Sequence, residues 1–257
     1  MSNMHRPVVA LTLSLLALVA AAPLATAQPA ASPPGELSDL WVFWPKEGHV
    51  EAFEAAIKTH LAWRKQAGET FVWQGYQPVL GTDMAHYVFR SADHRWADFD
   101  AHLAWGTKAK ANEAFARDIQ PHVARYEHTI AEEDYKHSKW VDGEYNYFWV
   151  ASHRLKPGAD ASMGEAIDKI HKGLVTGGWP VSWAVSRTIG GAGGLTIVFP
   201  HVSYAAMEEP KPGFMEVLTK GMGGAEAALA ALKQFNESRA ETNETIYAFR
   251  RDLSTPK

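Results

Sequence analysis

The stretch "SRTIGGAGGLTIVF", Ser186 to Phe199, places four glycines in the five positions 190–194. A glycine-rich loop binds phosphate when a strand precedes it and a helix follows, because the N–H groups at the helix start then point at the anion. Here the residues that follow, "GLTIVF", have strand character, and neither phosphate-loop spacing of glycines is present. The stretch therefore predicts a hairpin turn between two strands rather than a nucleotide site.

This hairpin has a counterpart earlier in the chain, at "LGTDM". A shift of 110 residues aligns positions 46–90 with 156–200, and nine of the 45 aligned pairs are identical, where ordinary residue frequencies give about three. The identical pairs are Lys46/Lys156, Gly48/Gly158, Ala56/Ala166, Ile57/Ile167, Gly68/Gly178, Trp73/Trp183, Gly81/Gly191, Val88/Val198 and Phe89/Phe199. The chain thus carries an internal repeat.

The predicted elements fall in the same order in both halves. The first half gives a strand at 40–44, a helix at 49–66, strands at 70–80 and 84–90, helical residues from about 93 to 120 and a strand at 126–134. The second half gives a strand at 145–155, a helix at 160–176, strands at 180–189 and 194–199, a helix at 225–240 and a strand at 244–252. Each half reads β-α-β-β-α-β, the ferredoxin-like arrangement, so the predicted fold class is α+β with two tandem repeats.

The N-terminus predicts an exported protein. An apolar run at 8–22 and the sequence "ATA" at 25–27 have the layout of a secretory signal peptide over residues 1–27. We expect a disordered leader at 28–36, repeat 1 at 37–135, a linker at 136–144 and repeat 2 at 145–252. Localisation is then periplasmic or secreted in a bacterium, with no stable membrane insertion after cleavage.

Composition narrows the classes of partner. The formal net charge is −4 and no block of basic residues is present, so we predict no nucleic-acid partner. There is no cysteine and no H-E-x-x-H sequence, so we predict no metal site. A small-molecule ligand is the expected partner, and self-association stays open.

Two such repeats in one chain resemble the dimeric α/β-barrel superfamily, in which two ferredoxin-like sheets pack into a barrel. The resemblance covers about Leu40 to Asp252 and is closest in kind to tandem NIPSNAP-like and antibiotic-biosynthesis-monooxygenase-like members. It implies a barrel formed within one chain. The superfamily includes cofactor-independent monooxygenases, haem proteins and small-ligand binders, so the fold does not choose an activity.

Two histidines are candidates for a catalytic base. His60 matches Ile170 on the apolar stripe of the repeated helix, where a polar side chain either finds a partner or faces a pocket. His86 matches Thr196, and strand alternation places it on one face with Val88 and Arg90.

Four further residues are candidates for ligand binding. Trp73 and Trp183 are repeat equivalents on the second strand of each half. Each is either a core aromatic residue or a wall that stacks on a flat ligand. Arg187 shares the Trp183 face of its strand and could hold an anion, or lie at the solvent rim. Asn146 opens the first strand of the second half, where an amide could orient a substrate.

These residues favour an exported protein that binds a small apolar or aromatic molecule, with cofactor-independent, oxygenase-like turnover on His86 or His60. A non-catalytic envelope protein acting through its surface is the alternative. The third is a haem protein, for which His60, His86 and His171 are the candidate axial ligands. No cofactor is required by the first two.

Overall fold

A computed structural model describes residues 35–191 and 193–257. The predicted signal peptide and most of the predicted leader lie outside these residues. The last two leader residues differ from expectation, because Gly35 is buried and its N–H donates to Asp93 while the Glu36 carbonyl accepts from the Glu133 N–H. These two contacts join Gly35 and Glu36 to the folded part of the chain.

Within the described residues, eight strands and six α-helices follow the predicted order. The strands are β1 (Leu37–Pro45), β2 (Gln74–Leu80), β3 (Tyr87–His94), β4 (Val123–Glu133), β5 (Tyr147–Leu155), β6 (Ala184–Ile189), β7 (Gly194–His201) and β8 (Arg239–Arg250). The helices are α1 (Val50–Gln66), α2 (Trp96–Ala109), α3 (Ala111–Asp118), α4 (Asp160–Gly177), α5 (Phe214–Gly221) and α6 (Ala225–Ser238). Short 3-10 turns precede β4 and follow β7 and β8.

The strands close into one antiparallel barrel in the order β1-β3-β2-β8-β5-β7-β6-β4, with β4 returning to β1. Each half supplies four adjacent strands in the ferredoxin-like order. The halves meet at two equivalent junctions, where the second strand of one half pairs with the last strand of the other (β2 with β8, β6 with β4). The predicted α+β barrel is confirmed.

Two apolar layers lie outside the barrel, between the strands and the helices. In the first half, Phe43 and Phe89 on neighbouring strands pack with Phe53 of α1. In the second half, Val185 and Leu195 pack with helical residues such as Met163 of α4. A closed sheet with helices on its outer face keeps its other face for the barrel interior.

The glycine-rich stretch is the turn that the sequence predicts. It joins β6 to β7, and Gly190 and Gly193 have positive φ values of 88° and 66°, a backbone conformation that glycine adopts without strain. The second strand of each half is shorter than predicted. Since β2 begins at Gln74 and β6 at Ala184, Trp73 and Trp183 lie just before these strands. Among the helices of the described residues, none is both long and apolar enough to cross a bilayer.

Candidate functional site

Strand alternation decides which side chains line the barrel interior, here called the lumen. Phe43 and Phe89 face α1, so their strand neighbours Val42 and Val88 face the lumen. By the same rule Val150 and Val198, which pair across β5 and β7, face it from the second half.

The centre of the lumen is not filled by these side chains. All four valines are only half-buried although each lies mid-strand in a closed barrel. Side chains that fill the interior of an eight-stranded barrel leave no such exposure. The lumen therefore offers apolar space of the kind that binds small molecules.

One end of the lumen, the His86 end, carries a row of polar groups. His86, just before β3, places its Nε2 3.0 Å from the hydroxyl of Tyr247 on β8. Its Nδ1 lies 3.6 Å from an Asp83 carboxylate oxygen, and that carboxylate accepts a 2.8 Å hydrogen bond from the Trp44 indole. Asp83, His86 and Tyr247 thus form a line that ends on the inward face of β8.

The electrostatics of this row favour a neutral imidazole at neutral pH. Burial lowers the pKa of His86 below its ordinary value of 6.5, against the opposing charge of Asp83. Burial also raises the pKa of Tyr247 to about 12. The Trp44 hydrogen bond lowers the pKa of Asp83, which stays ionised. Since the carboxylate faces Nδ1, we assign the His86 proton to Nδ1, and Nε2 then accepts from Tyr247.

The other end of the lumen, the Arg90 end, carries an ion pair. Arg90 of β3 donates from Nη2 to Glu133 of β4 at 2.7 Å, and Ser38 of β1 donates to the same carboxylate oxygen at 2.5 Å. Alternation places all three side chains on the inward face. The Arg90 side chain is 31% exposed, so part of the guanidinium faces open space.

Aromatic rings line the wall beside this end. Tyr76 of β2 contacts Phe148 of β5 edge to face at a centroid distance of 5.2 Å and Phe249 of β8 at 5.4 Å. Such rings supply flat apolar surface for an aromatic ligand.

His60 lies outside the lumen, which corrects its placement in a ligand pocket. Its ring packs between α1 and α3, against Trp63 and Phe115. Neither ring nitrogen has a hydrogen-bond partner within the described residues, and Asp118 is 3.7 Å away. Burial lowers the pKa of His60 to about 4. A base at this position cannot reach a ligand in the lumen.

The two predicted tryptophan walls are core side chains. Trp73 is 5% exposed in the first outer layer, where its indole donates to Glu69 at 3.0 Å. Trp183 is 4% exposed in the second, where its indole donates to the His137 carbonyl at 2.7 Å. Both rings pack on the helix side of the sheet, so neither borders the lumen.

Arg187 and Asn146 also lie away from the lumen. Arg187 is on the helix-side face of β6, 3.8 Å from Asp160, and lines an open groove with Arg154 and Lys156. Asn146 is exposed before β5, donating to the Val202 carbonyl and accepting from an arginine near the C-terminus. Asn146 thus holds the start of β5 to the segments that follow β7 and β8.

The haem-ligand candidates do not present an open axial position. The His60 ring is enclosed between helices, and His86 Nε2 is bonded to Tyr247. His171 Nδ1 lies 3.0 Å from the His137 carbonyl, as in many ligating histidines, but its ring packs edge-on against Trp183. These surroundings do not fit haem.

Sequence reasoning found His86 but missed the groups on either side of it. Tyr247 is 161 residues away in the chain, and only barrel closure brings the two together. Asp83 sits in the β2–β3 turn, where "GTD" signals a turn and nothing more. The i, i+3 spacing of Asp83 and His86 is the one signal that could have linked them.

Comparisons with known proteins establish the fold. No protein-family model matches the sequence, and no curated protein matches it significantly. Among solved structures, a "putative monooxygenase" from Lactobacillus acidophilus NCFM superposes with a TM-score of 0.53 at 7% identity, covering 85% of this chain and 94% of that one. An "anthrone oxidase-like protein" gives a TM-score of 0.51 at 14% identity, covering 86% and 94%. The chain therefore has the fold of the dimeric α/β-barrel superfamily, with both ferredoxin-like halves in one polypeptide.

Proposed function

We propose that the lumen binds a small aromatic molecule and that the His86 row supports its oxidation by O2 without a bound cofactor. One observation carries the proposal: a buried, neutral imidazole bonded to a tyrosine hydroxyl at the edge of apolar space. A proton acceptor next to an apolar pocket is what removal of a proton from a carbon acid requires. The names of the two superposed proteins agree with this chemistry and add no residue to it.

Tyr247 is the group nearest the ligand in this scheme. Its oxygen accepts the substrate proton while its own proton passes to His86 Nε2, which leaves an imidazolium facing the Asp83 carboxylate. The carboxylate stabilises that cation because the opposite charge lies 3.6 Å from Nδ1. The high pKa of Tyr247 means that its oxygen does not hold the negative charge, so the relay passes the proton onward.

The electrons balance with O2 as the oxidant. Loss of the proton leaves an electron pair on the substrate carbon, and this carbanion reduces O2. A CH2 group between two activating groups then becomes a C=O group that keeps one oxygen atom, and the second oxygen leaves as water with the two hydrogens. The protein supplies binding space and the proton relay.

Oxygen uptake with anthrone as the probe substrate tests the proposal. We expect uptake by the wild-type chain and a loss of at least about 100-fold in Tyr247→Phe and His86→Gln, the usual scale for a positioned acid–base group. Tyr204→Phe, at an exposed tyrosine, and His122→Gln, at an imidazole that bonds to His49 instead, are the matched controls and keep the wild-type rate. Absence of uptake in the wild type, or full rates in both relay variants, contradicts the proposal.

The pH dependence gives a second readout. The imidazole must be neutral to accept a proton, and its pKa is lowered from 6.5. The rate therefore falls to half only below pH 6.5, as His86 takes up a proton. A rate that falls by half already at pH 7 argues against His86 as the acceptor.

A further inference from the structure

Arg90 is a cation on the lumen face that keeps hydrogen-bonding capacity. Within the described residues its one hydrogen bond runs to Glu133, which leaves most of its five N–H donors without a protein acceptor. Arg250 differs, since Glu54, Asp252 and Gln77 all accept from its guanidinium. The free donors of Arg90 are not among the buried unpartnered atoms, so they face accessible space.

The partner of Arg90 is held so that these donors point into the lumen. Glu133 is 10% exposed, and Ser38, which is fully buried, donates to the oxygen that Arg90 also binds. This fixes one edge of the guanidinium against the wall formed by β4 and β1. The opposite edge is then presented to the interior, beside the Tyr76 ring on the paired strand β2.

The spacing along β3 sets the length of the ligand. His86 and Arg90 are four residues apart on one face, which is about 13 Å at the rise of an extended strand. Half-buried Val88 lies between them, and the rings of Tyr76, Phe148 and Phe249 line the neighbouring wall. Apolar and aromatic side chains therefore lie between the polar groups at the two ends of β3.

We propose that the ligand is an elongated aromatic molecule with an anionic oxygen group, which Arg90 binds at the end of the lumen opposite His86. This rests on the proposed function for its choice of site and deepens it with a substrate class. An arginine fork matches a carboxylate in shape and charge, and enclosure strengthens the attraction. The anion anchors the molecule and leaves its far end against Tyr247.

Binding calorimetry on the full chain tests this with two probes of one shape, 2-naphthoate and neutral 2-naphthamide, at pH 7.5. The wild type prefers the naphthoate. Glu133→Gln frees the Arg90 edge that Glu133 occupies and tightens naphthoate binding severalfold. Arg90→Met with Glu133→Gln removes both charges together, so no charge is left buried alone, and weakens naphthoate binding at least tenfold with naphthamide unchanged.

The exposed pair Lys233 and Glu237 on α6 is the matched control, because it is an ion pair of the same charge type on a helix outside the barrel. Lys233→Met with Glu237→Gln leaves both affinities unchanged. Equal binding of the two probes by the wild type, failure of naphthoate to bind, or a double variant that keeps naphthoate affinity overturns the proposal. If the double variant does not fold, Glu133→Gln decides alone, and unchanged or weaker naphthoate binding overturns it. Oxygen uptake is scored separately, so the relay can stand when the anion site fails.

Discussion

The two halves of the barrel share a pair of core tryptophans on their helix-side faces and differ at the two ends of their lumen faces. Trp73 and Trp183 are identical repeat equivalents, both buried and both hydrogen-bonded through the indole. On the inward face of the third strand, His86 and Arg90 of the first half correspond to Thr196 and Pro200 of the second. The proposed chemistry therefore belongs to one half only.

The two junctions of the barrel show the same division. At β2 and β8 the inward pair is Tyr76 and Phe249, while at the equivalent junction of β6 and β4 it is Ser186 and Glu133. Packing against helices constrains a residue by shape, which accounts for a tryptophan at both equivalent core positions. The lumen face has no opposing layer to fill, and its residues diverge into an aromatic wall and a charged one.

The largest expected effect is the loss of stability when either core tryptophan is removed, which tests whether the two cores are equivalent. Trp73→Ala and Trp183→Ala should each lower the free energy of unfolding by about 3–5 kcal/mol, because each removes a large buried ring. Urea unfolding measures both. Trp96→Ala, at a tryptophan that is 58% exposed, is the control and should change stability by less than about 0.5 kcal/mol. A tolerated loss in one half only would show that the halves are not equivalent.

The next effect concerns the pH dependence of stability. It tests a difference between two equivalent helices, since α1 has His60 where α4 has Ile170. Burial lowers the pKa of His60 from 6.5 to about 4, so the unfolded chain binds a proton that the folded chain excludes. Stability from this group is complete above pH 6.5 and falls towards pH 4, by at most about 3 kcal/mol. His60→Ile removes that loss, and unfolding at pH 7 and 4.5 measures it.

His153 is the internal control for this prediction. Burial lowers its pKa to about 4 as well, so the variant keeps the acid-induced loss that His153 causes. The variant should therefore lose less stability than the wild type over this range, while keeping part of the loss. An unchanged loss would mean that His60 is protonated in the folded protein.

A smaller effect separates the two tryptophan hydrogen bonds. Glu69 accepts from Trp73 and, at 2.6 Å, from Arg64 Nε, whereas the Trp183 partner is a main-chain carbonyl. Glu69→Gln should lower the free energy of unfolding by about 1–3 kcal/mol, since the half-buried Arg64 loses its counter-charge. Thermal unfolding measures it, with Glu237→Gln on the exposed face of α6 as the control. An unchanged unfolding temperature would mean that the contacts of Glu69 with Trp73 and Arg64 do not stabilise the fold.

The smallest effect concerns the aromatic wall. Phe148→Leu should lower stability by about 1 kcal/mol, because it removes ring contacts with Tyr76 and Phe249 from a lumen that is only partly filled. Phe53→Leu, at a fully buried side chain of the first outer layer, is the comparison and should lower stability by more. Equal losses would mean that the lumen is as tightly packed as the outer layers.

The sequence by itself determined the order of elements, because apolar periodicity and turn residues act locally and recur after 110 residues. It also determined that His86, Val88 and Arg90 share a face, since strand alternation requires only extended backbone. It misplaced Trp73 and Trp183, because a strand end depends on pairing partners and not on propensity.

Only the tertiary structure decided which face encloses the lumen and what meets there. Alternation separates two faces without saying which one the helices cover, so the tryptophan face and the His86 face looked equally suited to a ligand. Closure through β8 brings Tyr247 to His86 and β4 brings Glu133 to Arg90. Such pairs are non-local hydrogen bonds, and their partners are fixed by strand register across the whole barrel rather than by any local pattern.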